Sequence, residues 1–308
     1  MKKLIIDTDP GVDDAHAILL ALAHPGVQVE AITTVNGNVG LDLTTANALK
    51  ILDAAGQDVP VYPGCDRPLI NPPVHADFVH GQDGLGDCGI PPSDRQPQSE
   101  HAVHALIRLA KESPGEYILA AIGPLTNLAV AVRLEPDLPT KFKQLVIMGG
   151  AIYSKGNTST VTAEFNIHTD PEAAHIVFSS WPMITLLSWE TTLAHVFDQS
   201  VLERFSSLGT TRAKFFHDTN QNILSYIRRR LGQDMLFAPD GLALAAAVEP
   251  GIVTKSEKKH VSIELNGSQT RGQTVVDWFG TTKQPANTEI ILEVDQTRFI
   301  ELMENGLR

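Results

Sequence analysis

Leu4-Ile5-Ile6-Asp7-Thr8-Asp9-Pro10-Gly11-Val12-Asp13-Asp14 leads directly into Ala15-His16-Ala17-Ile18-Leu19-Leu20-Ala21-Leu22. The apolar run before Asp7 reads as a buried strand, and the run after Val12 reads as a helix. Between them stand four carboxylates, Asp7, Asp9, Asp13 and Asp14, with Pro10 and Gly11 supplying a sharp turn. Like charges this close repel unless a cation neutralises them, and oxygen-only donors suit a hard divalent ion such as Ca²⁺. Adjacent helical residues point about 100° apart, so Asp13 and Asp14 are expected to have different jobs, one on the metal and one on a ligand. Helix N-termini also attract acids as caps, but capping accounts for one or two of the four. The cluster lies at the end of a strand, where α/β folds place their ligands.

Outward from this turn, strand-like runs at 3–7, 27–35, 117–122, 144–148 and 183–187 alternate with helical stretches at 13–23, 41–55, 100–111, 126–134 and 171–178. Asp170-Pro171 is a helix start signal, an N-cap followed by proline. This alternation predicts an α/β fold, an open and mostly parallel twisted sheet flanked by helices. Residues 64–98 break the rhythm as a long Pro/Gly-rich loop, residues 197–230 read as helical, and 251–294 read as strands before a last helix from Gln296. With 308 residues and no linker or repeat, one domain over 1–308 is expected.

A hydrophobic content of 43% and a charged content of 19% describe an ordinary globular protein. The net charge of −12 argues against nucleic acid and anionic membrane as partners, and a small neutral substrate fits better. Only three apolar residues separate Lys3 from Asp7, too few for a signal-peptide core, and no apolar run approaches the ~20 residues of a membrane span. The two cysteines, Cys65 and Cys88, lack metal-ligand spacing; a cytoplasmic protein with reduced thiols is expected.

Other polar residues fall at strand ends. Asn36-Gly37-Asn38 terminates the second strand, and Ile122-Gly123-Pro124-Leu125-Thr126-Asn127 ends another, leaving the Ile122 carbonyl as a hard-oxygen donor. Met148-Gly149-Gly150 ends the next, followed by Gly156-Asn157 and by Glu164-Phe165-Asn166, whose two polar residues share a side if extended. Asp240 opens the apolar helix that starts near Leu242. Each is weak alone, since Asp240 is a good N-cap and Asn38 or Asn127 can satisfy turn backbone. Their common position beside the acidic turn points to one shared site.

Asp7–Asp14, Gly37-Asn38, Gly123-Pro124-Leu125-Thr126-Asn127, Met148-Gly149-Gly150, Ala163-Glu164-Phe165-Asn166-Ile167, Asp170-Pro171-Glu172-Ala173 and Gly272-Gln273-Thr274-Val275-Val276-Asp277 together resemble the inosine-uridine preferring nucleoside hydrolase family. The resemblance runs in family order to about Asn287. It implies a Rossmann-like nucleoside hydrolase fold and a Ca²⁺-dependent enzyme that splits purine and/or pyrimidine ribonucleosides into base and ribose, in homodimers or homotetramers. Carried across, Asp9, Asp14 and Asp240 would hold Ca²⁺ through carboxylates and Ile122 through its backbone oxygen. Asp13, Asn38, Met148, Asn157, Glu164, Asn166 and Asp240 would line the ribose. The segment from Asn157 to Glu164 is about one residue longer than the family spacing. His80-Gly81-Gln82-Asp83-Gly84 resembles a family segment that lies over the site.

Cleaving a ribosyl C–N bond with water needs an activated nucleophile, stabilisation of a cationic sugar and an electron-accepting base. Asp9 is the natural general base. In many relatives a His directly before the late metal-binding Asp protonates the base, and some purine-specific members have Trp there; here it is Pro239. His80 is then the expected catalytic substitute, with His217 and Tyr226 as further base-pocket candidates and Phe237 as a candidate stacking group. The alternatives are a non-catalytic nucleoside- or ribose-binding protein, and a Mg²⁺-dependent phosphohydrolase built on Asp7-Thr8-Asp9.

Overall fold

The computed structural model describes residues 1–308. Its strands are β1 (Lys2–Thr8), β2 (Val27–Thr34), β3 (Val61–Pro63), β4 (Tyr117–Ala121), β5 (Gln144–Met148), β6 (Ile184–Leu187), β7 (Phe197–Asp198), β8 (Met235–Leu236), β9 (Val253–Lys259), β10 (Val261–Ile263), β11 (Thr274–Val276) and β12 (Thr288–Val294). Eight form the central sheet in the order β3-β2-β1-β4-β5-β6-β12-β9, parallel throughout except for β9, which runs antiparallel to β12. The pairs β7–β8 and β10–β11 are separate antiparallel ribbons.

Period-two alternation divides the apolar residues between two cores. Leu4 and Ile6 face one side with Ile18, Leu19 and Phe299, while Ile5 faces the other with Leu119, Ile147 and Phe178. Both edges of the sheet are blunt. β3 is three residues ending in Pro63, and β9 carries Lys255, Lys258 and Lys259. No helix is long and apolar enough to cross a membrane.

The chain leaves β1 toward β2 and β3 on one side, then returns to place β4, β5 and β6 on the other. The order therefore reverses between β1 and β4, and the crevice beyond their C-terminal ends is where an open α/β sheet binds ligands. The acidic turn occupies that position. The helix Val12–Ala23 starts at once after it, its N-cap Gly11 N–H held by Asp14 Oδ2 at 2.9 Å.

Three segments differ from the sequence-based expectation. The loop 64–98 contains a short helix, Asp77–His80, and is preceded by the unforeseen β3. The stretch 197–230 is broken into β7, the helix Gln199–Ser206 and the helix Thr211–Leu231, because Gly209 takes a left-handed φ of 69° between the helices. Glu164 and Asn166 do not lie on an extended strand: Glu164 is the N-cap of the helix Phe165–Thr169.

Candidate active site

Asp9 is fully buried beyond β1. Its Oδ2 accepts the Asn38 backbone N–H at 2.7 Å, and its Oδ1 is buried without a partner. Two glycines make room for it, since a Cβ on Gly37 would lie 2.0 Å from Asp9 Oδ2 and one on Gly123 2.5 Å from Oδ1. Asp14 is anchored by the Thr8 hydroxyl on Oδ1 and by Gly11 N–H and Asn38 Nδ2 on Oδ2. Asp13, one residue earlier, keeps an unpartnered buried Oδ1. Oxygens of Asp13, Asp14 and Asp240 all lie within 4.8 Å of one another. The compact trio therefore contains Asp13, with Asp9 adjoining it.

Burial, and then the neighbouring charge of Asp14, holds the Asp9 carboxyl well above the usual range. Burial followed by Asp13, Asp14, Asp9 and Glu164 does the same to Asp240. Burial lifts Asp13 and Asp14 to about 6. Several carboxylates here cannot all ionise unaided. Unpartnered buried oxygens, mutual repulsion and an all-oxygen donor set fit a hard divalent cation.

Above the acids opens a cavity of about 370 Å³. Asp13, Asn38, Ile122, Met148, Glu164, Asn166 and Asp240 line its polar end, together with Asn157 from the loop after β5. Asn166 Nδ2 donates to the carbonyls of Ile122 at 3.0 Å and Met148 at 3.3 Å, joining the ends of β4 and β5. Both carboxylate oxygens of Glu164 are occupied by backbone N–H groups, from Asn166 on one and from Gly150 and Ile167 on the other. Burial pushes Glu164 to about 7 against these bonds. Asn127 lies outside the cavity and is structural: its amide bridges Asp7, the Thr34 carbonyl and the Cys65 N–H.

The opposite end is apolar and aromatic. Phe78 meets Tyr226 with ring centroids 5.9 Å apart, and Trp189 meets Phe237 at 5.6 Å. His80 also lines the cavity, its Nδ1 3.7 Å from Asp13 Oδ1. Its Nδ1 accepts the Val12 N–H at 3.2 Å, so the proton of the neutral ring sits on Nε2. Burial lowers its pKa to about 4. Pro239 also lines the cavity, offering no proton.

His217 requires a correction. It faces solvent and contacts Ser206 and Gln221, away from the cavity. Ile223, Tyr226, Ile227 and Arg230 share the cavity face of that helix, and residue 217 falls on another face. Trp189 and Phe78 escaped the sequence reading. The signal for Trp189 was its position just past the end of β6, at the same sheet end as the other strand-end residues.

A model of the inosine-uridine preferring nucleoside hydrolase family matches residues 4–301. The pyrimidine-specific ribonucleoside hydrolase RihB of Escherichia coli strain K12 is 35% identical over 307 residues, covering 100% of this chain and 97% of that protein. A solved inosine-guanosine nucleoside hydrolase superposes with a TM-score of 0.92 at 35% identity, covering 99% of this chain and 98% of the other. A purine-preferring ribonucleoside hydrolase from Gardnerella vaginalis gives 0.91 at 31% identity with the same coverage. The acidic crevice at the sheet's switch point thus sits in a chain that belongs to the inosine-uridine preferring nucleoside hydrolase family, hydrolases of N-glycosyl compounds.

Proposed function

We propose that this chain cleaves the N-glycosidic bond of purine and/or pyrimidine ribonucleosides to free base and ribose, with Ca²⁺ as its resident ion. The observation that carries the reading is the pair of unpartnered buried oxygens, Asp9 Oδ1 and Asp13 Oδ1, beside a cavity that is polar at one end and aromatic at the other. Asp9, Asp14, Asp240 and the Ile122 carbonyl are the proposed ligands. When bound, the ion supplies an anchor for a sugar cis-diol and acidifies a water.

The chain's own residues do the rest. Asp9 Oδ1 takes the proton of the attacking water. Asp13, Asn38 and Asn166 hold the ribose hydroxyls, and the Glu164 carboxylate, fixed by three N–H groups, opposes the positive charge that develops on the sugar. His80 presents Nε2–H as a neutral donor near the base, while Trp189 and Phe237 shield it from water. Relatives named for pyrimidine, for inosine-guanosine and for purine substrates leave the base open across this range. A cytoplasmic homodimer or homotetramer accompanies this reading, and size-exclusion chromatography reads its assembly state.

The test incubates the protein with a panel of ribonucleosides and measures released reducing sugar with and without chelator. Chelator-sensitive ribose release is expected, and 2′-deoxynucleosides should react about 10⁴-fold more slowly, because a site built to bond a hydroxyl rejects the analogue lacking it. Binding without sugar release would select the non-catalytic alternative, which Pro239 favours by removing a proton donor.

A further inference from the structure

The loop between β5 and the helix Phe165–Thr169 brings Asn157 to the cavity, and its far arm is well anchored. Asn157 N–H donates to Ala163 O at 3.2 Å and Gly156 N–H to Val161 O at 2.8 Å, with Gly156 so close to Ala163 that a Cβ would lie 2.2 Å from its carbonyl. The near arm, Ile152 to Lys155, belongs to no helix or strand. Three of its four N–H groups converge on one carboxylate, and the fourth, Ser154 N–H, donates to Ala151 O at 3.3 Å. Glu190 Oε2 accepts Ile152 N–H at 2.9 Å, and Oε1 accepts Tyr153 N–H at 2.8 Å and Lys155 N–H at 3.1 Å. Glu190 stands in the first turn of the helix Trp189–Ala194, directly after the Trp189 that walls the aromatic end, and Trp189 N–H itself donates to Gly150 O at 2.9 Å.

We propose that Glu190 is a positioning residue that clamps residues 152–155 through three backbone N–H groups and thereby holds Asn157 at the ribose end of the cavity, in register with the Trp189 wall. This rests on the ribonucleoside reading above, because it takes Asn157 as a ribose contact. Glu190 does not line the cavity, so it touches no substrate and acts only through the loop. With the clamp removed, the near arm samples other conformations. An arm in place about a tenth of the time weakens apparent affinity about tenfold, and leaves the chemical step of the bound complex nearly unchanged.

The test compares Glu190→Ala, Glu190→Gln and Asn157→Ala with the unmutated protein. Its readouts are kcat and KM for the best nucleoside of the panel, nucleoside binding by tryptophan fluorescence, and tryptic cleavage after Lys155 followed by mass spectrometry. Glu190→Ala is expected to raise KM and the dissociation constant about tenfold with kcat within about twofold, and to speed cleavage after the exposed Lys155 about tenfold or more. Glu190→Gln keeps one carbonyl acceptor and should fall between. Asn157→Ala should raise KM without speeding cleavage, and the double variant should be no worse in KM than Asn157→Ala alone. Unchanged cleavage after Lys155 in Glu190→Ala overturns the clamp whatever the activity, and faster cleavage with unchanged binding overturns the positioning role. Absence of turnover and of binding in the unmutated protein overturns the functional reading instead.

Discussion

A methyl group at residue 37 would meet Asp9 Oδ2 at 2.0 Å. The strain at Gly37 is a side-chain clash, since this glycine is not among those with positive φ. Gly37→Ala should therefore move the Asp9 carboxylate while leaving the fold standing. A displacement near 1 Å at a reacting group costs about 10²-fold in rate. We expect at least that loss in ribose release with an unchanged circular dichroism spectrum; full activity would mean Asp9 is not needed where it sits. Glu164 carries a second consequence at this scale. Its ordinary value is 4.5 and burial raises it to about 7, so the folded chain holds that proton more tightly than the unfolded one. The stability this group contributes is complete below pH 4.5 and is lost as pH rises to about 7, a change on the order of 3 kcal/mol. Glu164→Gln removes the titration. Its urea midpoint in chelator should fall less between pH 5 and pH 8 than that of the unmutated protein, and parallel slopes would refute the shift.

At the scale of elements, Asp170 ties three segments together. Oδ1 accepts Ala173 N–H and caps the helix Pro171–Ser180, while Oδ2 accepts Leu69 N–H and the Thr126 hydroxyl. Losing a cap, stranding the buried Thr126 hydroxyl and freeing the Leu69 N–H should cost about 2–3 kcal/mol in Asp170→Ala, read from the urea midpoint. The capping role was legible in Asp170-Pro171; the links to Leu69 and Thr126 were not, because they join residues far apart in sequence. The same division runs through the fold. The helices Leu41–Ala55 and Thr126–Leu134 and strand β5 were readable to the residue, since each carries a long or continuous apolar signal. β3 was invisible because Val61-Tyr62-Pro63 is too short to show a period. The polar end of the cavity was legible because its residues follow strands directly. The aromatic end was only partly so: Phe237 and Tyr226 stood near Asp240 in sequence, whereas Phe78 and Trp189 come from separate segments that only the fold joins. His217 showed the opposite failure, an ionisable residue near the right helix but on the wrong face.

For the whole molecule, the proposed cation among Asp9, Asp13, Asp14 and Asp240 would link metal to folding. With Ca²⁺ as the proposed ion, a concentration about a thousand times its dissociation constant would stabilise the fold by about 4 kcal/mol, roughly 5–10 °C in melting temperature. Thermal unfolding with calcium and with chelator should differ by that amount, and Asp240→Ala should abolish the difference. A melting temperature indifferent to calcium would leave the acidic cluster without its ion. The sheet that supports this cluster also has protected margins. At one side a three-residue strand stops at a proline, and at the other three lysines punctuate the outermost strand. One border is too short to template a stranger's backbone and the other, though seven residues long, is studded with charge, so both disfavour fibril-style recruitment. Any higher-order particle would then form through helical or loop surfaces, and its sheet would not spread by contagion in a crowded solution.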